Sequence, residues 1–273
     1  MKELFVRLLS GLFYVFLLAI SINYKYAAIF LFFVFGLICL SEFKKIIQLK
    51  SIIPYIIFIA LLIVFISGQL LLETSEVVDK LNQILLVLTI FVQLFLIKDL
   101  FSNKAIPLFN SRRFLLTTFY ISSPFVFLIL IAFHHEVYNP NILFSSFILI
   151  WVNDSFAYLI GKNFGKQKLF EKISPKKTVE GFLGGLFFSC IASYFIATFT
   201  ETLTFTNWLL LSIIISVFGT LGDLIESKFK RQANVKDSGT IMPGHGGLLD
   251  RLDSIIFAAP FIYLFLRITL YVS

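Results

Sequence analysis

The chain alternates long apolar runs with short polar breaks, and the runs have the length that crosses a bilayer. Covering ~30 Å of hydrocarbon at ~1.5 Å per residue takes about 20 residues in helical form. Runs near this length occur at 4–22, 27–41, 52–72, 81–97, 114–133, 142–160, 181–199, 207–224 and 254–272, the second being short. The pattern predicts an all-α polytopic membrane protein of about nine transmembrane helices. Residues 1–140 hold five of these spans. Residues 141–273 form a carboxy-terminal region that carries most of the dense polar sequence. Lys2 and Arg7 at the first run resemble the start of a signal peptide. No small-residue cleavage pattern follows and a second apolar run begins almost at once, so the first run is read as a span.

Composition narrows the class. Hydrophobic residues make up 58% of the chain and mean hydropathy is +0.92, which excludes an ordinary soluble domain. The 35 Phe are read as packing and lipid-facing bulk. Cys39 and Cys190 lie in separate apolar runs, so neither a disulfide framework nor a Cys-based zinc site is expected. Of the 23 Lys and Arg, all but Lys25, Lys80 and Arg267 fall on one side of the spans. That asymmetry predicts a cytoplasmic amino terminus and cytoplasmic loops at 161–180 and 225–253. The net charge of +7 then gathers on one surface, where it attracts anionic headgroups and nucleotides. A nucleic-acid partner is not expected.

Two segments carry more polar chemistry than topology requires. In W-V-N-D-S-F-A-Y (151–158), Asp154 lies about two turns inside the sixth span, where a carboxylate costs roughly 2.5–3.5 kcal/mol to insert. It is a functional candidate or an interhelical anchor. Downstream, S-P-K-K-T-V-E-G (174–181) reads as a turn from Ser174 and Pro175, with Lys176 and Lys177 presenting adjacent ammonium groups. Thr178 is placed to cap the next helix, and Gly181, Gly184 and Gly185 permit close packing.

The sharper segment runs from Gly222 to Ser254 and holds five of the sixteen acidic residues. If the eighth span continues as helix, Asp223, Glu226, Ser227 and Lys230 share one face at i, i+3, i+4 and i+7. This stripe suits a cation at one end and a phosphate at the other. P-G-H-G-G (243–247) lets backbone N–H groups approach an anion, and His245 is read as a phosphate contact. Asp250 and Asp253 open the last span, where one carboxylate suits the helix dipole and the pair with Asp223 suits Mg²⁺. Neither a nucleophile elbow nor a Walker-type loop is found. The residue types therefore point to phosphoryl or nucleotidyl transfer by positioning and charge neutralisation.

The string S-K-F-K-R-Q-A-N-V-K-D-S-G-T-I-M-P-G-H-G-G-L-L-D-R-L-D resembles the signature of the phosphatidate cytidylyltransferases (CDP-diacylglycerol synthases). S-P-K-K-T-V-E-G and D-S-F-A-Y are similar to two further segments of that family, with Val179 in place of tryptophan and Ser155 in place of threonine. The resemblance covers about 150–254. It implies transfer of a cytidylyl group from CTP to phosphatidic acid with Mg²⁺ required, in the inner (plasma) membrane, by a homodimer. It also implies Asp223, Ser227, Lys230 and Asp250 as catalytic residues, and Asp223, Asp250 and Asp253 as metal ligands. Ser174, Lys176, Lys177, Arg231, Lys236, His245 and Asp154 are implied as substrate-binding. A cytidylyltransferase or kinase acting on another lipid, such as an isoprenoid, is the alternative. A transporter is disfavoured because the polar residues gather at one face and no repeat is visible.

Overall fold

The computed structural model describes residues 2–71, 76–102, 104–133, 138–244 and 246–272. Four helices come first: α1 (Lys2–Ile22), α2 (Lys25–Ile46), α3 (Ile53–Leu71) and α4 (Glu76–Phe101). A rod follows from α5 (Asn110–Leu116) through a π-helical turn, Thr117–Ser122, into α6 (Ser123–Ile131). Next come α7 (Pro140–Phe164), a hairpin of β1 (Lys168–Phe170) and β2 (Ser174–Thr178), and then α8 (Val179–Thr200), α9 (Phe205–Gln232) and α10 (Leu249–Val272).

All nine predicted spans fall on helix. Seven of these helices are long and apolar enough to cross a membrane, while Leu8–Ile22 and Ile53–Gly68 are shorter apolar stretches. The protein is thus a multi-pass, all-α membrane protein. Starts are set locally: Asn139, Thr178 and Thr204 each accept a backbone N–H of the helix they precede, and Pro140 opens α7 where its missing N–H costs nothing.

The core sits where α2, the α5–α6 rod, α9 and α10 meet. The π turn inserts Tyr120 among Phe43, Phe229 and Phe257, with ring centroids 5.2–6.3 Å apart. Such a turn widens one helical loop, and Ser122 Oγ donates to Thr117 O across it at 2.8 Å. This aromatic cluster backs the polar carboxy-terminal end of α9.

Small residues bring the carboxy-terminal helices together. An added Cβ would lie 2.7 Å from Ala157 O at Gly181 and 2.6 Å from Asn153 O at Gly185, so α8 lies directly on α7. At Gly222 it would meet Phe257 Cβ at 2.5 Å and Asp253 O at 2.8 Å, whereas at Gly219 the nearest atom is 3.5 Å away. Gly222→Ala is therefore expected to push α9 off α10 at a cost of about 1–3 kcal/mol, lowering the detergent-solubilised unfolding midpoint. Gly219→Ala should be tolerated, and equal midpoints for the two variants would contradict this packing.

One local expectation is corrected. S-P-K-K-T is not a turn but strand β2, antiparallel to β1 with Phe170 opposite Ser174 and Lys168 opposite Thr178. The reversal falls earlier, where Ile173 N donates to Phe170 O at 3.2 Å. A two-stranded hairpin has free edges, so Pro175 forfeits no ladder bond that the sheet needs.

Candidate active site

The stripe on α9 forms as its spacing requires, because the helix continues about two turns past the apolar run that precedes it. Ser227 Oγ donates to Asp223 Oδ1 at 3.2 Å, and Lys230 Nζ donates to Glu226 Oε2 at 2.8 Å, both at i, i+4. Each end of the stripe then receives a group from elsewhere in the chain. Lys177, from β2, places Nζ 2.5 Å from Asp223 Oδ2, and Asp250, from the first turn of α10, places Oδ1 2.6 Å from Lys230 Nζ. Burial works against charge on Lys177, but the Asp223 carboxylate outweighs it and holds the ammonium pKa above the ordinary lysine value. Lys177 is cationic throughout the neutral range.

Lys177, Asp223, Lys230 and Asp250 line one cleft of about 950 Å³. Its walls are α1, α7, the hairpin, the start of α8, α9, the 237–242 segment and the start of α10. That volume accommodates a nucleotide and a lipid headgroup together. Asp154, Lys176, Lys177, Asp223, Lys230, Asp250 and Asp253 all border it. Asn153 Oδ1 is buried there without a hydrogen-bond partner.

Other sequence candidates sit elsewhere. Ser227 lies behind Asp223 rather than on the cleft wall. Ser174 is at the far end of β2, and Lys236 is exposed outside the cleft. Arg231 reaches the backbone carbonyls of Ile173 and Val235 at 3.4 and 3.3 Å, tying the hairpin to the loop after α9. Lys228 turns away altogether and donates to Asp99 O and Ser102 O at the end of α4. His245 lies outside the described residues.

The glycine loop is built around Asp250. Gly244 and Gly246 have φ of 73° and 88°, values that favour glycine. The turn they make brings Gly247 N to Asp250 Oδ2 at 2.7 Å, beside Ser238 N at 2.9 Å and Ser238 Oγ at 3.0 Å. Oδ2 is thereby fixed in the loop, and Oδ1 is left toward Lys230 and the cleft.

Two acidic residues absent from the sequence-derived site complete it. Glu42, on α2 and 1% exposed, accepts Ser238 Oγ at 3.1 Å, Leu248 N at 3.1 Å and Leu249 N at 2.8 Å. It satisfies the first N–H groups of α10 from a different helix. Its signal in the sequence was a lone acid beside Lys44 and Lys45 at the end of a span, where the charges read as topology only. Glu226, fully buried, was recognised in the stripe but given no site role. It faces Asp253 within hydrogen-bonding reach, and its Oε1 has no hydrogen-bond partner. Two carboxylates so placed repel unless a proton or cation lies between them.

Among the described residues, no group of three or more His, Cys, Asp or Glu side chains gathers closely enough to hold a metal ion. In kind, the donors fit a hard divalent cation: carboxylate oxygens of Asp223, Asp250 and Asp253 face the cleft, with the unpartnered Glu226 oxygen behind them.

Comparison with known proteins agrees with this chemistry. Residues 5–269 match the Cytidylyltransferase family. The chain is 35% identical to a protein of Bacillus subtilis (strain 168) named phosphatidate cytidylyltransferase, over 98% of this chain and 99% of that one. Proteins of the same name from Staphylococcus aureus (strain COL) and Staphylococcus saprophyticus are 50% and 51% identical over 123 and 127 residues. Those matches span 44% and 46% of this chain and 47% and 48% of theirs.

Proposed function

Since the chain belongs to the cytidylyltransferase family, we infer that it transfers the cytidylyl group of CTP to phosphatidate, giving CDP-diacylglycerol and pyrophosphate. The observation that carries this reading is the pairing of two lysines with two carboxylates in one cleft, Lys177 with Asp223 and Lys230 with Asp250. In each pair the ammonium and the carboxylate neutralise one another. An arriving polyphosphate can take over the lysines and leave the carboxylates to a cation.

A phosphate oxygen of the lipid, already ionised at neutral pH, attacks the α-phosphorus of CTP in line. The new P–O bond forms as the bond to the β-phosphate oxygen breaks, and that electron pair leaves with pyrophosphate. No general base is needed. Lys177 and Lys230 bind the phosphates and stabilise their charge, while Ser227 holds Asp223 in orientation. The cation, Mg²⁺ in this proposal, would take its ligands from Asp223, Asp250 and Asp253 once the phosphates draw Lys177 and Lys230 away and these carboxylates close on it, and when bound it neutralises charge developing on the leaving group. Lys176 and Asp154 border the cleft as further substrate contacts. Ser174, Arg231 and Lys236 shape the surrounding hairpin and loop. The protein works as a homodimer in the cell's inner (plasma) membrane with the cleft open to the cytoplasm, a placement supported by the one-sided Lys and Arg distribution.

Pyrophosphate release by the purified protein tests the reading. Release is expected with CTP, phosphatidate and Mg²⁺ together, and its loss on chelation should be reversed by added Mg²⁺. Turnover of prenyl phosphate but not phosphatidate would move the assignment to another lipid. Full activity in the presence of chelator would remove the cation.

A further inference from the structure

α1 contributes a hydroxyl to the cleft that has no hydrogen-bond partner among the described residues. Tyr14 is 8% exposed, borders the cleft, and its Oη is buried without a hydrogen-bond partner. The ring is fixed from behind by stacking on Phe35, with centroids 6.2 Å apart and planes at 18°. Leaving such a hydroxyl buried and unpaired is destabilising, and phenylalanine at the same place would avoid that cost. A ligand group that pairs with it removes that cost.

The position of Tyr14 identifies the ligand group. Ser10 Oγ donates to Pro243 O at 3.0 Å, pinning α1 to the glycine loop. Tyr14 is four residues on, so it occupies the same face of α1 about 6 Å farther along the helix axis. The titratable groups whose fields reach it are Cys39 on α2 and Arg251 and Asp253 on α10. Its α1 neighbours on the cleft wall are Gly11 and Val15, and Ile150 and Trp151 line the cleft from α7. The hydroxyl is therefore the polar group that α1 brings to the cleft, set between the apolar Gly11, Val15, Ile150 and Trp151 on one side and Arg251 and Asp253 of α10 on the other, one helical turn beyond the contact with the glycine loop. The glycerol esters of a diacyl lipid, which follow the phosphate by a few bonds and offer carbonyl acceptors just above the acyl chains, match that sequence of environments.

We propose that the Tyr14 hydroxyl donates a hydrogen bond to an ester carbonyl of the bound phosphatidate, and so selects ester-linked glycerolipid phosphates over acceptors lacking that carbonyl. This rests on the reading of the lipid substrate given above. Tyr14→Phe removes one oxygen, and the test compares it with the wild-type protein on diester phosphatidate and on its diether analogue in mixed micelles. With the diester, KM for the lipid is expected to rise about fivefold, with kcat and KM for CTP unchanged. The wild-type protein should show the same penalty on the diether, and Tyr14→Phe should add nothing to it. The unfolding midpoint should be unchanged or higher.

The proposal is overturned by an equal Tyr14→Phe penalty on both lipids, by a raised KM for CTP, or by no change in KM. If the wild-type protein turned over neither lipid with CTP, the substrate reading itself would fail. An active wild-type protein with an indifferent Tyr14→Phe variant would sink only the role of Tyr14.

Discussion

Asp250→Asn is expected to reduce pyrophosphate release from CTP and phosphatidate by at least 10²–10³-fold, the order seen when a preorganised charge at a reacting phosphate or acyl centre is removed. The charge matters at Oδ1, the oxygen left toward Lys230 and the cleft. The amide oxygen of Asn can still accept Gly247 N and the Ser238 groups, so the loop keeps its anchor. The amide nitrogen then faces the Lys230 ammonium, two donors opposed, and Lys230 retains only Glu226. Folding should survive, with the unfolding midpoint shifted by no more than a few degrees and normal membrane insertion. The decisive measurement is activity against Mg²⁺ concentration. A variant that regains wild-type turnover at saturating Mg²⁺ would mean that Asp250 contributes affinity alone, and one with unchanged kcat at all concentrations would remove it from the reaction.

The second large effect is expected at Glu42, which never reaches the cleft wall. Glu42→Ala leaves Leu248 N and Leu249 N without acceptors and opens a cavity beneath Gly239 and Gly247, both of which pack against the Glu42 carboxylate. Together these cost on the order of 3–5 kcal/mol, enough to lower the unfolding midpoint by several degrees. Because Ser238 and Gly247 also hold Asp250, kcat should fall while KM for both substrates changes little, since the residue positions a group rather than touching substrate. Glu42→Gln keeps the volume and one oxygen acceptor, and should recover part of both losses. Equal damage from Gln and Ala would argue that the charge matters and not the anchoring. A fall in stability with kcat intact would leave Glu42 a purely structural residue.

Much of this architecture is dictated by the chain alone. The bilayer fixes the length of an apolar run, and the helical period fixes which polar residues share a face. The nine helices and the Asp223–Ser227 and Glu226–Lys230 contacts therefore follow from spacing. The capping role of Thr178 is legible for the same reason, being set by neighbours in sequence, while Gly181 and Gly185 announce close packing without telling that α7 is the helix they meet. Tertiary structure decided the rest. No local rule tells which lysine of the 174–178 strand meets Asp223, that Arg231 and Lys228 spend their charge on backbone carbonyls, or that Glu42 caps a helix two hundred residues away. Those pairings depend on how α2, β2, α9 and α10 pack. A charged group buried by packing must take whatever partner the neighbouring elements bring to it.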